Sequence, residues 1–136
     1  FCKLAGKNYN REKLKEVLLE CGLDLISIDK KLDTYSKGMR QKVGIAIALA
    51  KEANVYLLDE PASGLDPLAS TELSSILKKL SKSGAAILMA SHDIFRIRET
   101  CDRIGILKNG ELVKEMNTAN VSTKELENIY IEYMKD

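Results

Sequence analysis

The sequence predicts an α/β fold in which a parallel sheet is flanked by helices. Two short apolar runs, VYLLD (55–59) and AAILMAS (85–91), read as strands buried on both faces. Between them, DPLASTELSSILKKLSKSG places apolar residues at helical spacing, and a strand–helix–strand unit with short links sets its two strands parallel. Composition is the third observation: 136 residues with 45% apolar content suffice for one core, and nothing calls for a second domain.

The elements follow in order. NREKLKEVLLECGL forms a first helix, with Asn10 as its N-cap, Leu14, Val17, Leu18 and Cys21 on one face, and Gly22 as its stop. After an irregular link, SKGMRQKVGIAIALAKE (36–52) gives a second helix capped by Ser36, with a later part so apolar that it must be buried. The helix between the two strands starts at the cap Asp66 with Pro67 in its first turn, carries the stripe Leu73, Ile76, Leu77 and Leu80, and stops at Gly84. A short helix near 94–101 leads to RIGILKNGELVKE, where Asn109-Gly110 between apolar runs predicts a hairpin. Ser122 and Glu125 form a capping box for a last amphipathic helix bearing Leu126, Ile129, Tyr130 and Tyr133.

Charge and composition narrow the function. Lys and Arg number 21 against 20 Asp and Glu, a net charge of +1, so no long-range field marks the chain for nucleic acid. The longest apolar stretch, VGIAIALA at 43–50, falls far short of the roughly 20 residues that cross a bilayer. The chain is therefore expected to be soluble, with any membrane role reached through a partner. Cys2, Cys21 and Cys101 are odd in number and widely spaced, with one histidine, His92, to join them; buried thiols in a reducing cytosol fit better than a metal site or disulfide framework. The chain opens at Phe1 without an initiator Met or leader, and its start is expected to be a cut inside a longer protein.

Three groups of residues carry chemistry. Asp59 and Glu60 sit at the carboxyl end of the first strand, where one carboxylate can hold a hydrated divalent cation and its neighbour can orient or deprotonate a water. A strand that has merely reached solvent would look the same. His92 ends the second strand, and if the strands are neighbours it projects over the same sheet edge as Glu60; a lone surface histidine is the plain alternative. In YSKGMRQ (35–41), Ser36 and Gly38 at a helix N-terminus would offer a hydroxyl and backbone N–H groups to an anion, with Lys37 and Arg40 adding positive charge. An ordinary capped helix is the alternative there.

Order and spacing join the three. YSKGMRQKVGIAIALAKEANVYLLDEPASGLDP, followed by LMASHD, closely resembles the nucleotide-binding domain of ATP-binding cassette (ABC) transporters. Ser36, Lys37, Gly38 and Met39 stand where the family's LSGGQ signature has its S, G, G and Q, with Tyr35 for its L. YLLDEP matches the Walker B strand, Ser63-Gly64-Leu65-Asp66 the D-loop, and Ser91-His92-Asp93 the switch histidine. The resemblance runs from about residue 10 to 115.

The resemblance implies a partial P-loop NTPase (RecA-like) fold with part of the ABC helical subdomain, and ATP and Mg²⁺ as cofactors. Asp59 would bind Mg²⁺ through water, Glu60 would act as general base or water-positioning group, and His92 would contact the γ-phosphate. Ser36 and Gly38 would bind the γ-phosphate of an ATP held mainly by a second nucleotide-binding domain, Lys37 and Met39 would belong to the same cofactor-binding segment, and Asp66 would couple the two halves of that dimer. The partners implied are that second domain and a transmembrane permease subunit, with the chain peripheral on the cytoplasmic face of the membrane. Lys37 and Met39 depart from the signature, as variants in exporter ATPases with separate membrane subunits do.

A P-loop requires GxxxxGK[ST], because its backbone N–H groups cradle the phosphates. No such run occurs in the chain. The chain is therefore expected to be the carboxyl-terminal half of its domain: residues 1–52 part of the helical subdomain with the signature, 53–116 the later part of the ATPase core, and 117–136 a terminal amphipathic helix. Alone it is expected to be inactive and to self-associate through exposed strand edges. Two further readings stay open, an ABC-type ATPase outside transport and a non-catalytic interaction module without a P-loop.

Overall fold

The structure, a computed structural model, describes Lys3 and residues 6–135. The chain packs as two compact units, one ending at Ala90 and the other starting at Ser91.

In the first unit, helix α1 (Arg11–Glu20) begins where the Asn10 side chain accepts a hydrogen bond from the Lys13 N–H. It ends in a paired bond motif: Gly22 donates to Leu19 and Leu23 donates to Leu18. That motif needs a left-handed residue after the cap, and Gly22 supplies it at φ 77°. A short helix α2 (Leu25–Ile28) and a 3₁₀ turn (Leu32–Thr34) fill the link that the sequence leaves irregular. Helix α3 (Lys37–Ala50) starts at Ser36, strand β1 spans Val55–Asp59, helix α4 spans Pro67–Lys82, and strand β2 spans Ala86–Ala90.

β1 and β2 pair in parallel, from Val55 opposite Ala86 to Asp59 opposite Ala90. Val17 and Cys21 from α1, Ile45, Ala46 and Ala50 from α3, and Leu73 and Leu77 from α4 share one core, against which Leu58, Ile87 and Met89 of the sheet pack. Burial pushes the Cys21 thiol up to about 12, so it stays neutral and serves packing.

The strands differ from expectation in one respect. Tyr56 is buried, but Leu57 is 75% and Leu88 69% exposed. Successive strand residues point to opposite faces, and a helical layer covers only the face bearing Tyr56, Leu58, Ile87 and Met89.

The second unit comprises α5 (Ile94–Thr100), the antiparallel hairpin β3 (Arg103–Lys108) and β4 (Glu111–Asn117), and α6 (Thr123–Met134). Asn109 and Gly110 turn the hairpin at φ 52° and 83°, as a two-residue turn matched to strand twist demands. Ile104, Val121 and Leu126 form its core, with Ile94, Ile97, Met116 and Ile129 around them. The capping box of Ser122 and Glu125 is complete. No described helix is long and apolar enough to cross a membrane. Among the described cysteines, Cys21 and Cys101 are free thiols, and Cys2 lies outside the described residues.

Candidate functional site

The site begins at the N-terminus of α3. Ser36 is extended, and its Oγ accepts a hydrogen bond from the Met39 N–H at 3.2 Å. This closes one of the donors that a helix start leaves open. Ser36 and Lys37 are exposed, while Gly38 and Met39 are half-buried. The loop is tied from behind by Tyr35, which is buried and donates its hydroxyl to the Ser27 carbonyl at 2.5 Å. Ser27 is fixed in turn by Asp24, whose carboxylate accepts both its N–H and its hydroxyl at 2.8 and 2.7 Å.

The second segment is the turn that follows β1. Asp59 ends the strand at the surface. Glu60 continues the ladder by donating its N–H to Ala90 at 2.9 Å, yet its backbone has turned left-handed, at φ 44°. A non-glycine residue in that region carries a cost of about 1–2 kcal/mol, the kind of strain found where a side chain must point a particular way. Ser63 then donates to Glu60 and Leu65 to Ala62, curling the chain so that Asp66 can cap α4. The Ala69 N–H bound to Asp66 holds that carboxyl below its ordinary range.

These two segments meet. A methyl group placed on Gly38 would lie 3.3 Å from the Gly64 carbonyl and 3.8 Å from Leu65 Cδ2. One on Gly64, itself at φ 77°, would lie 2.9 Å from Lys37 Cδ and 3.1 Å from its Cε. The aliphatic stem of Lys37 thus runs along a residue that must lack a side chain. Deeper in, the Gln41 side chain donates to the Pro61 carbonyl at 2.9 Å. Lys42 donates to the Gly22 carbonyl at 2.7 Å, so a cation sits at the carboxyl end of α1 where the helix dipole favours it.

The signature positions Ser36, Lys37, Gly38 and Met39 therefore share one compact unit with Asp59, Glu60 and Asp66. His92 belongs to the other unit, exposed ahead of α5, whose N-cap is Asp93. Two contributors were missed from sequence: the hydroxyl of Tyr35 and the amide of Gln41. The only local signal for Gln41 is a neutral polar residue one turn into a helix that then becomes apolar.

Among the described residues no three His, Cys, Asp or Glu side chains gather to hold a metal. A lone Asp59 suits Mg²⁺, which keeps several waters and is held by one or two carboxylates together with substrate phosphates. The exposed start of the 14-residue helix α3, with Lys37 beside it, likewise suits an anionic phosphate group.

Comparison with known proteins identifies the family. The family model for ABC transporter matches residues 3–63. The chain is similar to the ABC transporter ATP-binding protein YhcH of Bacillus subtilis, 39% identical over 120 residues that make up 88% of this chain and 39% of that protein. Among solved structures it resembles the dimeric ATP-binding cassette MJ0796 bound to ADP and Pi, with a TM-score of 0.74 and 30% identity over 82% of this chain and 50% of that one. It also resembles an ATP-binding subunit of an ABC transporter, with a TM-score of 0.79 and 28% identity over 98% of this chain and 60% of that one. The chain spans less than half the length of the curated relative described. The chain belongs to the family of ABC transporter ATP-binding proteins, and its residues correspond to a stretch of that family's nucleotide-binding domain.

Proposed function

We propose that the protein carrying this chain hydrolyses ATP to drive a separate membrane subunit, through a dimer of nucleotide-binding domains that closes on ATP and reopens after hydrolysis. The packing of the α3 start against the turn after β1, Gly38 on Gly64 and Gln41 on Pro61, is the observation that carries this reading. It joins the start of α3, read as the phosphate-binding end, to the turn that follows Asp59 and Glu60.

In this reading Asp59 holds Mg²⁺ through water, and Glu60, aimed by its left-handed backbone, orients or deprotonates the attacking water. His92 contacts the γ-phosphate. Ser36, Lys37, Gly38 and Met39 bind the phosphate end of an ATP carried mainly by the partner domain, and Asp66 couples the two halves of the dimer. Bound Mg²⁺ and ATP supply the transferable phosphoryl group and the charge that neutralises it. Residues 1–52 then act as part of the helical subdomain, 53–116 as part of the ATPase core, and 117–136 as a terminal helix. Leu25 and Ile26 on α2, 66% and 78% exposed, offer an apolar surface for the membrane subunit, and the proposed location is the cytoplasmic face of the membrane. The isolated chain, which lacks GxxxxGK[ST], is inactive and self-associates.

Sedimentation of the full-length gene product tests the reading. With Glu60→Gln, ATP and Mg²⁺ should accumulate a stable dimer that the wild type only passes through. A variant that stays monomeric at saturating ATP would count against it.

A further inference from the structure

We infer that Gln41 is a positioning residue that links recognition of one ATP to hydrolysis of another; the inference rests on the shared-site reading above. On α3, Gln41 is the i+4 neighbour of Lys37 and the i+3 neighbour of Gly38, so it adjoins both on the helix surface. That surface meets the turn after β1 at two places, the Gly64 carbonyl against Gly38 and the Pro61 carbonyl against Gln41. The Gln41 bond reaches across 20 residues of sequence, is partly shielded from solvent, and ends on a buried proline.

Pro61 directly follows Glu60. Its ring fixes its own φ, and the Glu60 N–H is already committed to Ala90 at 2.9 Å. Little freedom therefore remains between the Pro61 carbonyl and the left-handed Glu60 backbone. If α3 shifts or rotates, Gln41 pulls on that carbonyl, and the orientation of the Glu60 carboxylate responds. Ser36 and Gly38, on the same helix end, serve the ATP held by the partner domain, whereas Glu60 serves the ATP of its own domain. Beside the close approach of Gly38 to Gly64, this amide is the directional hydrogen bond that ties the α3 start to the turn carrying Glu60.

The test is steady-state ATP hydrolysis by the full-length gene product. Gln41→Met keeps the length and packing of the side chain and removes the donor. It should lower kcat about 10-fold, shift KM for ATP less than about 2-fold and bring the Hill coefficient towards one, while the thermal midpoint falls by no more than the loss of one hydrogen bond explains.

Gln41→Glu adds a readout that packing alone does not move. Its ionised carboxylate repels the Pro61 carbonyl, whereas its protonated form donates to it. Its activity relative to wild type should therefore rise as pH falls towards the carboxyl range, where protonation restores a donor to the Pro61 carbonyl. The charged groups near position 41, Lys37, Arg40 and Lys42 on α3 and Asp59, Glu60 and Asp66 on the turn, are common to both proteins, so the wild type is the reference at each pH.

Wild-type kcat and cooperativity in Gln41→Met would overturn the inference. So would activity lost in step with thermal stability together with a flat pH ratio for Gln41→Glu. Failure of the underlying reading looks different, because the wild type itself would then lack an ATPase activity that depends on Glu60.

Discussion

Tyr35 donates its hydroxyl to the Ser27 carbonyl at 2.5 Å, deep enough that both residues are buried. This chain thereby ties the segment before α3 to α2 by a directional bond. The same carbonyl accepts the Lys30 N–H at 3.0 Å, so it is not orphaned when the hydroxyl is removed. Tyr35→Phe should therefore cost only about 1 kcal/mol, read from the urea midpoint with an unchanged slope. An unchanged midpoint would mean that the bond contributes nothing net.

Gly64 is constrained twice, by its φ of 77° and by the Lys37 stem against it. Gly64→Ala should destabilise the first unit by about 1–2 kcal/mol. Combining it with Lys37→Ala should recover the steric part and leave the backbone part, a non-additive pair in a double-mutant cycle. Strict additivity would place the whole effect in the backbone.

The sheet face with Leu57 opposite Leu88 is bare. Together with Val55 it makes an apolar patch on a two-stranded sheet, of the kind that drives association. Light scattering of the isolated chain should show mass rising with concentration, and the pair Leu57→Lys with Leu88→Lys should suppress the rise. A wild-type chain that stays monomeric at high concentration would contradict this.

Acid should loosen the helix starts. Hydrogen bonds from the Ser27 hydroxyl and N–H hold Asp24 below its ordinary range, the Ala69 N–H does so for Asp66, and the Ser122 hydroxyl and N–H do so for Glu125. Each carboxyl binds a proton more readily in the unfolded chain, so its contribution is complete above about pH 4. It is lost as pH falls through the lowered folded value. Asp66→Asn keeps a capping side chain but cannot titrate, and it should flatten the acid limb of the stability curve measured by urea unfolding. An acid limb identical to wild type would exclude Asp66 as a contributor.

Local chemistry made most of the fold legible. Asn10, Ser36, Asp66 and Ser122 each cap the helix they precede, because a cap is settled within four residues of sequence. Gly22 and Gly84 end α1 and α4 for the same reason. The turn of α2 was not legible: LISI carries no helical period long enough to detect, and Asp24 holds it by a single local cap. A continuous apolar run such as VYLLD does not say which of its faces acquires a covering layer, and Leu57 and Leu88 stay exposed. The motifs at 36–39, 59–60 and 63–66 were legible by their order. Their contact was not, since Gly38 on Gly64 and Gln41 on Pro61 join residues 26 and 20 apart, and no local pattern encodes such a meeting.

We propose Glu60, held left-handed at the end of β1, as the group that orients or deprotonates the water attacking ATP. The most direct measurement is the rate of Mg²⁺-dependent ATP hydrolysis by the full-length gene product with and without Glu60→Gln. That substitution preserves size and removes the charge and the basicity. The rate should fall at least ~100-fold while ATP binding persists. A Glu60→Gln protein that hydrolyses ATP at the wild-type rate would contradict the account.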